Sequence, residues 1–438
     1  QLEMMTGDHE YLDYAVFLYD DYNRQQVPEQ DIKVANLNDP AYALAGHAVH
    51  TCEHLRTLAI AARQDPRYRQ ALPRYLEKLK TVISPSGGPI GDEWMYGRVA
   101  DSDRTGYEYC SLQEMLHGYL HLLQETGQSS WADAAEQLLF NAAQGARHPE
   151  ESAVAMTKSD SSYVMLADRN APADYAGDPE RLTFEGNARY KYSPTHQDAA
   201  VCCAPNASRI YPYYVQSMWA HTDQGIAASL FGPSVLETRV HGVPVRIEQK
   251  TDYPFDLTVE LAVDTEEPVT FRLSLRRPAW AREVRLDASG RHSESKGYTH
   301  IDARWEAGDT VRITFVAEPE VHQDLLGRGY VSLGPLVFAL PLAGRPIETR
   351  QYPVPGFRDL LYDYADDPAK QCYRLPPDPC FEVVTGSGIG DHPFQGSVMM
   401  RGELIDPSDA RRKPVTLVPM GGTVLRKVTF ELAGQWLR

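Results

Sequence analysis

The chain has 438 residues, with 43 lysine and arginine residues against 60 aspartate and glutamate residues and a formal net charge of -17 at pH 7. This length predicts two to four domains with well-formed cores. The negative charge argues against binding to nucleic acid or anionic membrane surfaces. No apolar run approaches the ~20 residues that a membrane-spanning helix needs.

Residues 1–222 show the apolar period of α-helices. One stripe comprises Leu44, Ala48, Cys52, Leu55, Ala59 and Ala62, and another comprises Leu112, Leu116, Tyr119 and Leu123. Short polar turns recur near Gly7, Pro66 and Gly127, a spacing of about sixty residues that predicts a toroid of paired helices. The chain begins at Gln1 inside a predicted helix without a visible signal peptide, so we expect a processed or missing start. The compartment stays open between the bacterial cytoplasm and the periplasm or exterior.

Three histidines, His47, His50 and His54, share one face of the first striped helix at spacings of three and four. They could ligate a metal or serve as polar helix residues. Further on, Glu93 follows a glycine-rich approach and precedes Trp94, whose apolar ring could raise a carboxyl pKa. Glu93 is therefore a candidate general acid/base. The alternatives are Asp92 in that role, or Glu93 as a solvated loop residue.

The Ser111-Leu112-Gln113-Glu114 stretch predicts a capping box, with Ser111 as N-cap of a helix that runs to Gly127. Glu108 and Cys110 then lie on extended chain just before the helix. Residues two apart on extended chain point to the same side, so these residues can present a carboxylate and a thiolate together.

Two adjacent cysteines, Cys202 and Cys203, follow about ninety residues later. A disulfide between adjacent residues is strained, so two thiolates directed at one cation explain the pair better. With Glu108 and Cys110 they give three sulfurs and one oxygen, a set that suits tetrahedral Zn²⁺. The alternative is that these cysteines are small buried apolar residues. A purely structural zinc site usually contains two Cys-x-x-Cys pairs, and the chain has none.

From about Gly225 the apolar period changes from 3.6 to 2. Examples are Leu257 to Val263, Phe271 to Leu275 and Val311 to Phe315, and short turns between them predict an antiparallel β-sandwich over 223–325. A second β-rich domain is predicted over 326–438. Its segment 344–413 is rich in proline, aspartate and glycine, and we expect long loops there. Cys372 and Cys380 in this segment could form a local disulfide or stay reduced.

Several motifs resemble glycoside hydrolase family 127, the retaining β-L-arabinofuranosidases. Glu108-Tyr109-Cys110 is similar to the family's Glu-Thr-Cys signature, and Cys202-Cys203-Ala204-Pro205-Asn206 to its Cys-Cys-Pro-Pro-Asn signature. Tyr109 and Ala204 depart from these signatures. Further matches stand in the same order along the chain: Gly46-His47-Ala48-Val49, Gly87-Gly88 followed by Glu93, Glu136 to Asn141, and Leu275 to Trp280.

The resemblance implies a retaining hydrolase in which zinc is bound by Glu108, Cys110, Cys202 and Cys203. It implies that Cys202 is the nucleophile and that Glu93 is the acid/base. It also implies sugar contacts for His47 and Glu136. A surface position on its helix is the alternative for Glu136.

The resemblance further implies a multidomain α plus β architecture in which an (α/α)6 helical barrel precedes antiparallel β-sandwich domains. We count six or seven helices before residue 222, about half of a twelve-helix barrel. The chain is then a fragment, lacks its upstream residues or is completed by a partner.

Two other functions are compatible with the sequence. One is a non-catalytic carbohydrate-binding or scaffold protein that keeps zinc for structure. The other is a polysaccharide lyase on a similar toroid, which needs a tyrosine, histidine or lysine base beside a uronate. The predicted partner is an oligosaccharide or glycan substrate, and the oligomeric state is open, a homo-oligomer included.

Overall fold

A computed structural model gives the fold of residues 2–91, 93–150, 153–155, 157–163, 192–193, 203–355, 358–386 and 392–434. Within these ranges the first half of the chain is helical and the second half consists of β-strands, so the predicted order of an α region followed by β regions is confirmed. None of the described helices is both long and apolar enough to cross a membrane.

The helical part is built from hairpins around one buried helix. Its helices are α1 Leu2–Thr6, α2 Glu10–Arg24, α3 Val34–Asn38, α4 Ala48–Gln64, α5 Pro66–Lys80, α6 Tyr109–Thr126, α7 Ser129–Gln137 and α8 Cys203–Gln216. The three predicted turns lie between α1 and α2, between α4 and α5, and between α6 and α7. A π-helical segment, Leu138–Ala143, continues α7 directly. Helix α6 packs against α4, α7 and α8, and α4 also packs against α2 and α5.

Helix α6 begins earlier than predicted. Its first helical residue is Tyr109, and Glu108 is the N-cap in extended conformation. The predicted N-cap role of Ser111 is wrong, because the Ser111 hydroxyl instead donates a hydrogen bond to the carbonyl oxygen of Glu108 at 2.8 Å. Cys110 therefore lies in the first turn of the helix. The end of the helix is as predicted, since Gly127 terminates it in the left-handed conformation at φ 63°.

Four short strands accompany the helices: β1 Tyr107–Glu108, β2 Val154–Ala155, β3 Thr157–Lys158 and β4 Tyr192–Ser193. Strands β1 and β3 pair with each other, which places Glu108 opposite Thr157. Ten strands follow over 219–316: β5 Trp219–Thr222, β6 Gly225–Ala228, β7 Ser234–Val240, β8 Val243–Lys250, β9 Thr258–Thr265, β10 Val269–Arg276, β11 Glu283–Asp287, β12 Arg291–Ser295, β13 Tyr298–Trp305 and β14 Asp309–Val316.

These ten strands form two five-stranded sheets, with strand orders β12-β13-β10-β6-β5 and β11-β14-β9-β8-β7. All neighbours run antiparallel except β6 and β10, which run parallel. Val259, Leu261 and Val263 of one sheet share a single core with Leu273 and Leu275 of the other. The alternating residues of the sequence thus face each other across a β-sandwich.

The C-terminal part contains β15 Glu320–Gln323, β16 Gly329–Leu333, β17 Leu336–Leu342, β18 Gly344–Gln351, β19 Arg358–Tyr364, β20 Arg374–Leu375, β21 Phe381–Thr385, β22 Val398–Asp406, β23 Arg411–Pro419, β24 Leu425–Lys427 and β25 Glu431–Leu432. Nine of these strands form one sheet, while β18 and β19 join β4 and β2 in a four-stranded sheet. The C-terminal part therefore shares a sheet with the helical part.

The expectation of long loops over 344–413 is wrong. Strands β18, β19, β21 and β22 lie in this segment. The side chains of β18 are mostly exposed, so this strand lacks the apolar alternation from which a strand is predicted. Cys372 and Cys380 are both exposed and form no disulfide bond, as in the alternative in which both stay reduced.

Candidate metal and active site

Three of the four predicted metal ligands converge at the N-terminal ends of α6 and α8. Glu108 caps α6, Cys110 lies in its first turn, and Cys203 is the first described residue of α8. Their ligand atoms all lie within 4.8 Å of one another. Because α6 and α8 pack side by side, two residues 93 positions apart in sequence place their sulfurs 3.5 Å apart. Exposed fractions of 5%, 1% and 4% show that the group is buried.

The geometry of this group fits a shared cation. A sulfur separation of 3.5 Å between Cys110 and Cys203 is far longer than the ~2.05 Å of a disulfide bond. Two thiolates on one tetrahedral zinc ion, with Zn–S bonds of ~2.3 Å, lie ~3.8 Å apart. The donor types, two thiolates and a carboxylate, are those that zinc accepts in proteins. Within the described part of the chain this is the one group of three or more such donors.

Helix geometry adds to the fit. Both cysteines lie at helix N-termini, where the backbone N–H groups carry partial positive charge and favour a thiolate over a thiol. The extended conformation of Glu108, with φ -97° and ψ 152°, separates it from the helix and lets it turn toward the sulfurs. Cys202, the predicted fourth ligand and nucleophile, lies outside the described residues, as does Asp92.

The segment that carries Glu93 is connected directly to the strand that carries Glu108. The backbone N–H of Gly91 donates a hydrogen bond to the carbonyl oxygen of Gly106 at 2.7 Å. Gly91 lies two residues before Glu93, and Gly106 lies two residues before Glu108. Glu93 itself is half-buried and has φ 77°, a left-handed conformation that costs a non-glycine residue about 1–3 kcal/mol. Strain of this kind is concentrated at functional sites because it fixes a side chain in one orientation.

Glycines allow this segment to pack closely. A Cβ atom at Gly91, where φ is 145°, would lie 2.3 Å from the Cβ of Ala48. At Gly88 an added Cβ would lie 2.6 Å from the ring of Tyr107. Tyr107, a neighbour of Glu108, is fully buried in this packing.

His47 lies across from the Glu93 segment. His47 forms a β-bridge with Trp94, and the two rings meet edge to face with centroids 5.5 Å apart. The N–H of Ala48 donates to the carbonyl oxygen of Glu93 at 2.7 Å. The structure thus brings together His47 and Glu93, two of the residues that the sequence singled out.

The helix face predicted for all three histidines is wrong, because His47 is the N-cap of α4 in extended conformation and only His50 and His54 lie within the helix. His50 Nδ1 lies 2.6 Å from a carboxylate oxygen of Glu29. Burial lowers the pKa of His54, which packs near the ring of Tyr22. Neither belongs to the described group of metal donors.

Comparison with known proteins assigns the family. Residues 1–216 match the profile described as the GH127 catalytic domain of β-L-arabinofuranosidase, and residues 225–316 match the GH127 middle domain. The chain belongs to glycoside hydrolase family 127. It is therefore a glycoside hydrolase, and the lyase alternative is left without support. No curated protein sequence matches the chain.

Solved structures of this family have the same fold. A GH127 β-L-arabinofuranosidase from Geobacillus stearothermophilus T6 is 19% identical, with a TM-score of 0.70 over 98% of this chain and 69% of that one. A second GH127 β-arabinofuranosidase is 18% identical, with a TM-score of 0.74 over 99% and 67% of the two chains. A protein described as a glycoside hydrolase is 16% identical, with a TM-score of 0.73 over 99% and 74%.

Glu136, a predicted sugar contact of this GH127 chain, is placed elsewhere. Its side chain is fully buried at the junction of α7 with the β-sandwich. One carboxylate oxygen lies 2.5 Å from the Arg276 guanidinium and accepts a hydrogen bond from Tyr214 at 3.2 Å. The other accepts from the hydroxyl of Tyr253 at 2.5 Å. The charged partner that an inward-facing glutamate requires is therefore Arg276.

The surroundings of the ion pair between Glu136 and Arg276 indicate a structural role. Burial raises the pKa of the Glu136 carboxyl, and the Arg276 guanidinium acts in the opposite direction. Arg276 is fully buried as well and also contacts Asp133 of α7. Both oxygens of Glu136 are thus occupied by protein donors, and the geometry gives no support to the predicted sugar contact or to the surface position that was its alternative. The carboxylate joins the two GH127 domains.

We predict that Cys110→Ser and Cys203→Ser each lower zinc content from about one ion per chain to a small fraction, because loss of one thiolate leaves too few strong donors. Elemental analysis by plasma mass spectrometry after dialysis against a weak chelator measures this. Cys372→Ser, which changes an exposed cysteine, serves as the control and should retain wild-type zinc. Equal zinc in all three variants would contradict the site.

For Glu136→Ala we predict a loss of about 3–5 kcal/mol in the free energy of unfolding, since Arg276 stays buried without its main partner. Urea denaturation followed by circular dichroism measures the loss. Combining it with Arg276→Met should recover part of that stability, because the unpaired charge is removed. Unchanged stability together with a raised KM for a glycoside would instead support a sugar contact.

Proposed function

We propose that the chain cleaves β-L-arabinofuranosides, or closely related sugars, with retention of configuration and with a metal-held cysteine as nucleophile. The supporting observation is the buried convergence of Glu108, Cys110 and Cys203 at the ends of α6 and α8. The families and structures to which the chain is similar carry the name β-L-arabinofuranosidase, and we extend that substrate class to this chain.

Four residues would hold the metal: Glu108, Cys110, Cys203 and the adjacent Cys202. A bound Zn²⁺ would keep the cysteine sulfurs deprotonated at neutral pH, where a free thiol with a pKa of ~8.5 is mostly protonated. Its positive charge would also offset the charge of a carboxylate that is buried beside two sulfurs.

Cys202 is the proposed nucleophile because the resemblance to the family assigns this role to the first cysteine of the adjacent pair. The second cysteine, Cys203, begins α8 within the donor group, which supports the proposal. The sulfur of Cys202 attacks the anomeric carbon, the glycosidic C–O bond breaks, and a thioglycosyl intermediate forms. Water then attacks the same carbon from the face that the leaving group vacated, and the C–S bond breaks to release the Cys202 thiolate, which restores the original configuration.

Glu93 is the proposed acid/base. In the first step its carboxyl proton moves to the glycosidic oxygen as the C–O bond breaks, and in the second step its carboxylate takes a proton from the attacking water. His47 lies across the same segment and is the proposed contact for a sugar hydroxyl. The backbone link from Gly91 to Gly106 supports a short separation between Glu93 and the donor group.

We predict that Cys202→Ser abolishes turnover while the protein stays folded, because a serine hydroxyl is neither deprotonated nor a comparable nucleophile at neutral pH. Turnover of an aryl β-L-arabinofuranoside and circular dichroism measure the two properties. In the wild type, a bromoacetylated arabinofuranosyl reagent should label Cys202, as read by peptide mass spectrometry. Full activity of the variant would end the proposal, and zinc binding without hydrolysis of any glycoside by the wild type would favour a scaffold.

We predict that Glu93→Gln lowers kcat/KM for methyl β-L-arabinofuranoside by about 10²–10⁴-fold, the usual contribution of a general acid. The 2,4-dinitrophenyl glycoside should keep a nearly wild-type kcat/KM, since its leaving group departs without protonation. Steady-state rates on both substrates give the comparison. Equal losses on the two substrates would exclude Glu93 as the proton donor and would assign its effect to the local structure.

A further inference from the structure

Asp31, which lies between α2 and α3, is a buried carboxylate that belongs to none of the sequence motifs. It is 2% exposed and accepts four hydrogen bonds. One oxygen accepts from the hydroxyl of Tyr42 at 2.8 Å and from the N–H of Ala45 at 2.9 Å. The other accepts from the N–H of Gly46 at 2.9 Å and from the hydroxyl of Thr51 at 2.6 Å. Two of these donors belong to the backbone that immediately precedes His47.

The backbone held by Asp31 is paired with the Glu93 segment. The N–H of Met95 donates to the carbonyl of Gly46 at 3.0 Å, and the N–H of Gly97 donates to that of Leu44 at 2.9 Å. On the other side of His47, the N–H of Ala48 donates to the carbonyl of Glu93. The segments 44–48 and 93–97 therefore form a short hydrogen-bonded ladder. Asp31 holds the first of these segments through its hydrogen bonds from Ala45 and Gly46.

Asp31 is itself held in place by helix α2. The hydroxyl of Tyr22 donates to the carbonyl of Glu29 at 3.0 Å, and the hydroxyl of Tyr19 donates to the carbonyl of Ile32. These contacts lie on both sides of Asp31 in the chain. Gly46 allows the close approach, because an added Cβ would lie 2.9 Å from the nearer Asp31 oxygen. The arrangement is rigid and tightly packed.

We propose that Asp31 is a positioning residue that sets the location of Glu93 and His47 through this ladder. The inference rests on the function proposed above. A carboxylate suits the role because it only accepts hydrogen bonds, so both backbone N–H groups can point at it. An asparagine offers one oxygen and one NH₂ group, and the NH₂ group would face a donor. The two segments would then separate, and small displacements at a reacting centre lower rates strongly.

The test compares leaving groups. Asp31→Asn should lower kcat/KM for methyl β-L-arabinofuranoside by about 10²-fold, the scale of an ~1 Å misplacement. The loss for the 2,4-dinitrophenyl glycoside should be clearly smaller, because that substrate needs no proton from Glu93. Gly46→Ala, which presses on the same oxygen, should give the same pattern. Thr51→Val, which removes one of the four donors, should give a smaller loss of kcat/KM with the same dependence on the leaving group. Thr51→Ser keeps a hydroxyl donor and should show wild-type kcat/KM on both glycosides.

The control is Asp406→Asn. Asp406 also has a buried carboxylate, and one of its oxygens accepts from the backbone N–H of Ser408 at 2.9 Å and from the hydroxyl of Ser408 at 2.6 Å, in the C-terminal part. This variant should affect both glycosides equally, and zinc content should be unchanged in every variant. If Asp31→Asn does not fold, Gly46→Ala and Thr51→Val decide the outcome.

Equal losses on the two glycosides, or no loss, would overturn the positioning role. If Glu93→Gln shows no dependence on the leaving group, the proposed acid/base role of Glu93 fails. A leaving-group effect in Glu93→Gln without one in the Asp31 series removes only the positioning role.

Discussion

The structure depends on one convergence of charge in its interior. Glu108, Cys110 and Cys203 are buried together, within 4.8 Å of one another, at the ends of two adjacent helices. Three potential anions at this distance would repel one another strongly in a medium of low dielectric constant. A shared divalent cation would remove this repulsion, because each anion would be attracted to the cation. Such a cation would make the close packing of α6 on α8 compatible with ionised sulfurs.

The backbone next to this group is constrained. Gly91, Glu93 and Gly106 lie in segments that connect the donor group to α4, and Glu93 has a strained backbone conformation. Such strain persists only where surrounding contacts over-determine it. The ladder between 44–48 and 93–97 and the carboxylate of Asp31 supply those contacts. Support of this kind suits the acid/base role that we propose for Glu93.

Much of this organisation is predictable from the sequence, for physical reasons. The adjacent cysteines disfavour a disulfide, so residue type and spacing predict that they meet Glu108 and Cys110, and the structure brings Cys203 together with these two residues. Gly127 marks the end of α6 because a left-handed residue terminates a helix. The alternating residues of β9 and β10 identify the sandwich, since one face of each strand must be buried. In each case the signal lies within a few residues of the feature.

Other parts depend on contacts between distant residues and leave no local signal. The partner of Glu136 is Arg276, 140 positions away, and neither residue type indicates the other. Asp31 is an ordinary turn aspartate in sequence, and its role follows only from the backbone N–H groups that reach it. Helix α6 begins at Tyr109, two residues before the serine of the apparent capping box, and its N-cap Glu108 pairs with Thr157, a residue far along the chain. The exposed strand β18 lacks apolar alternation altogether.

The most direct measurement is X-ray absorption at the zinc edge of the purified protein. We expect three sulfur ligands at ~2.3 Å and one oxygen at ~2.0 Å. Replacing Cys110 by serine should reduce the sulfur shell or remove the zinc. A shell of nitrogen and oxygen alone, or a protein that retains no zinc while it hydrolyses glycosides, would contradict the central claim.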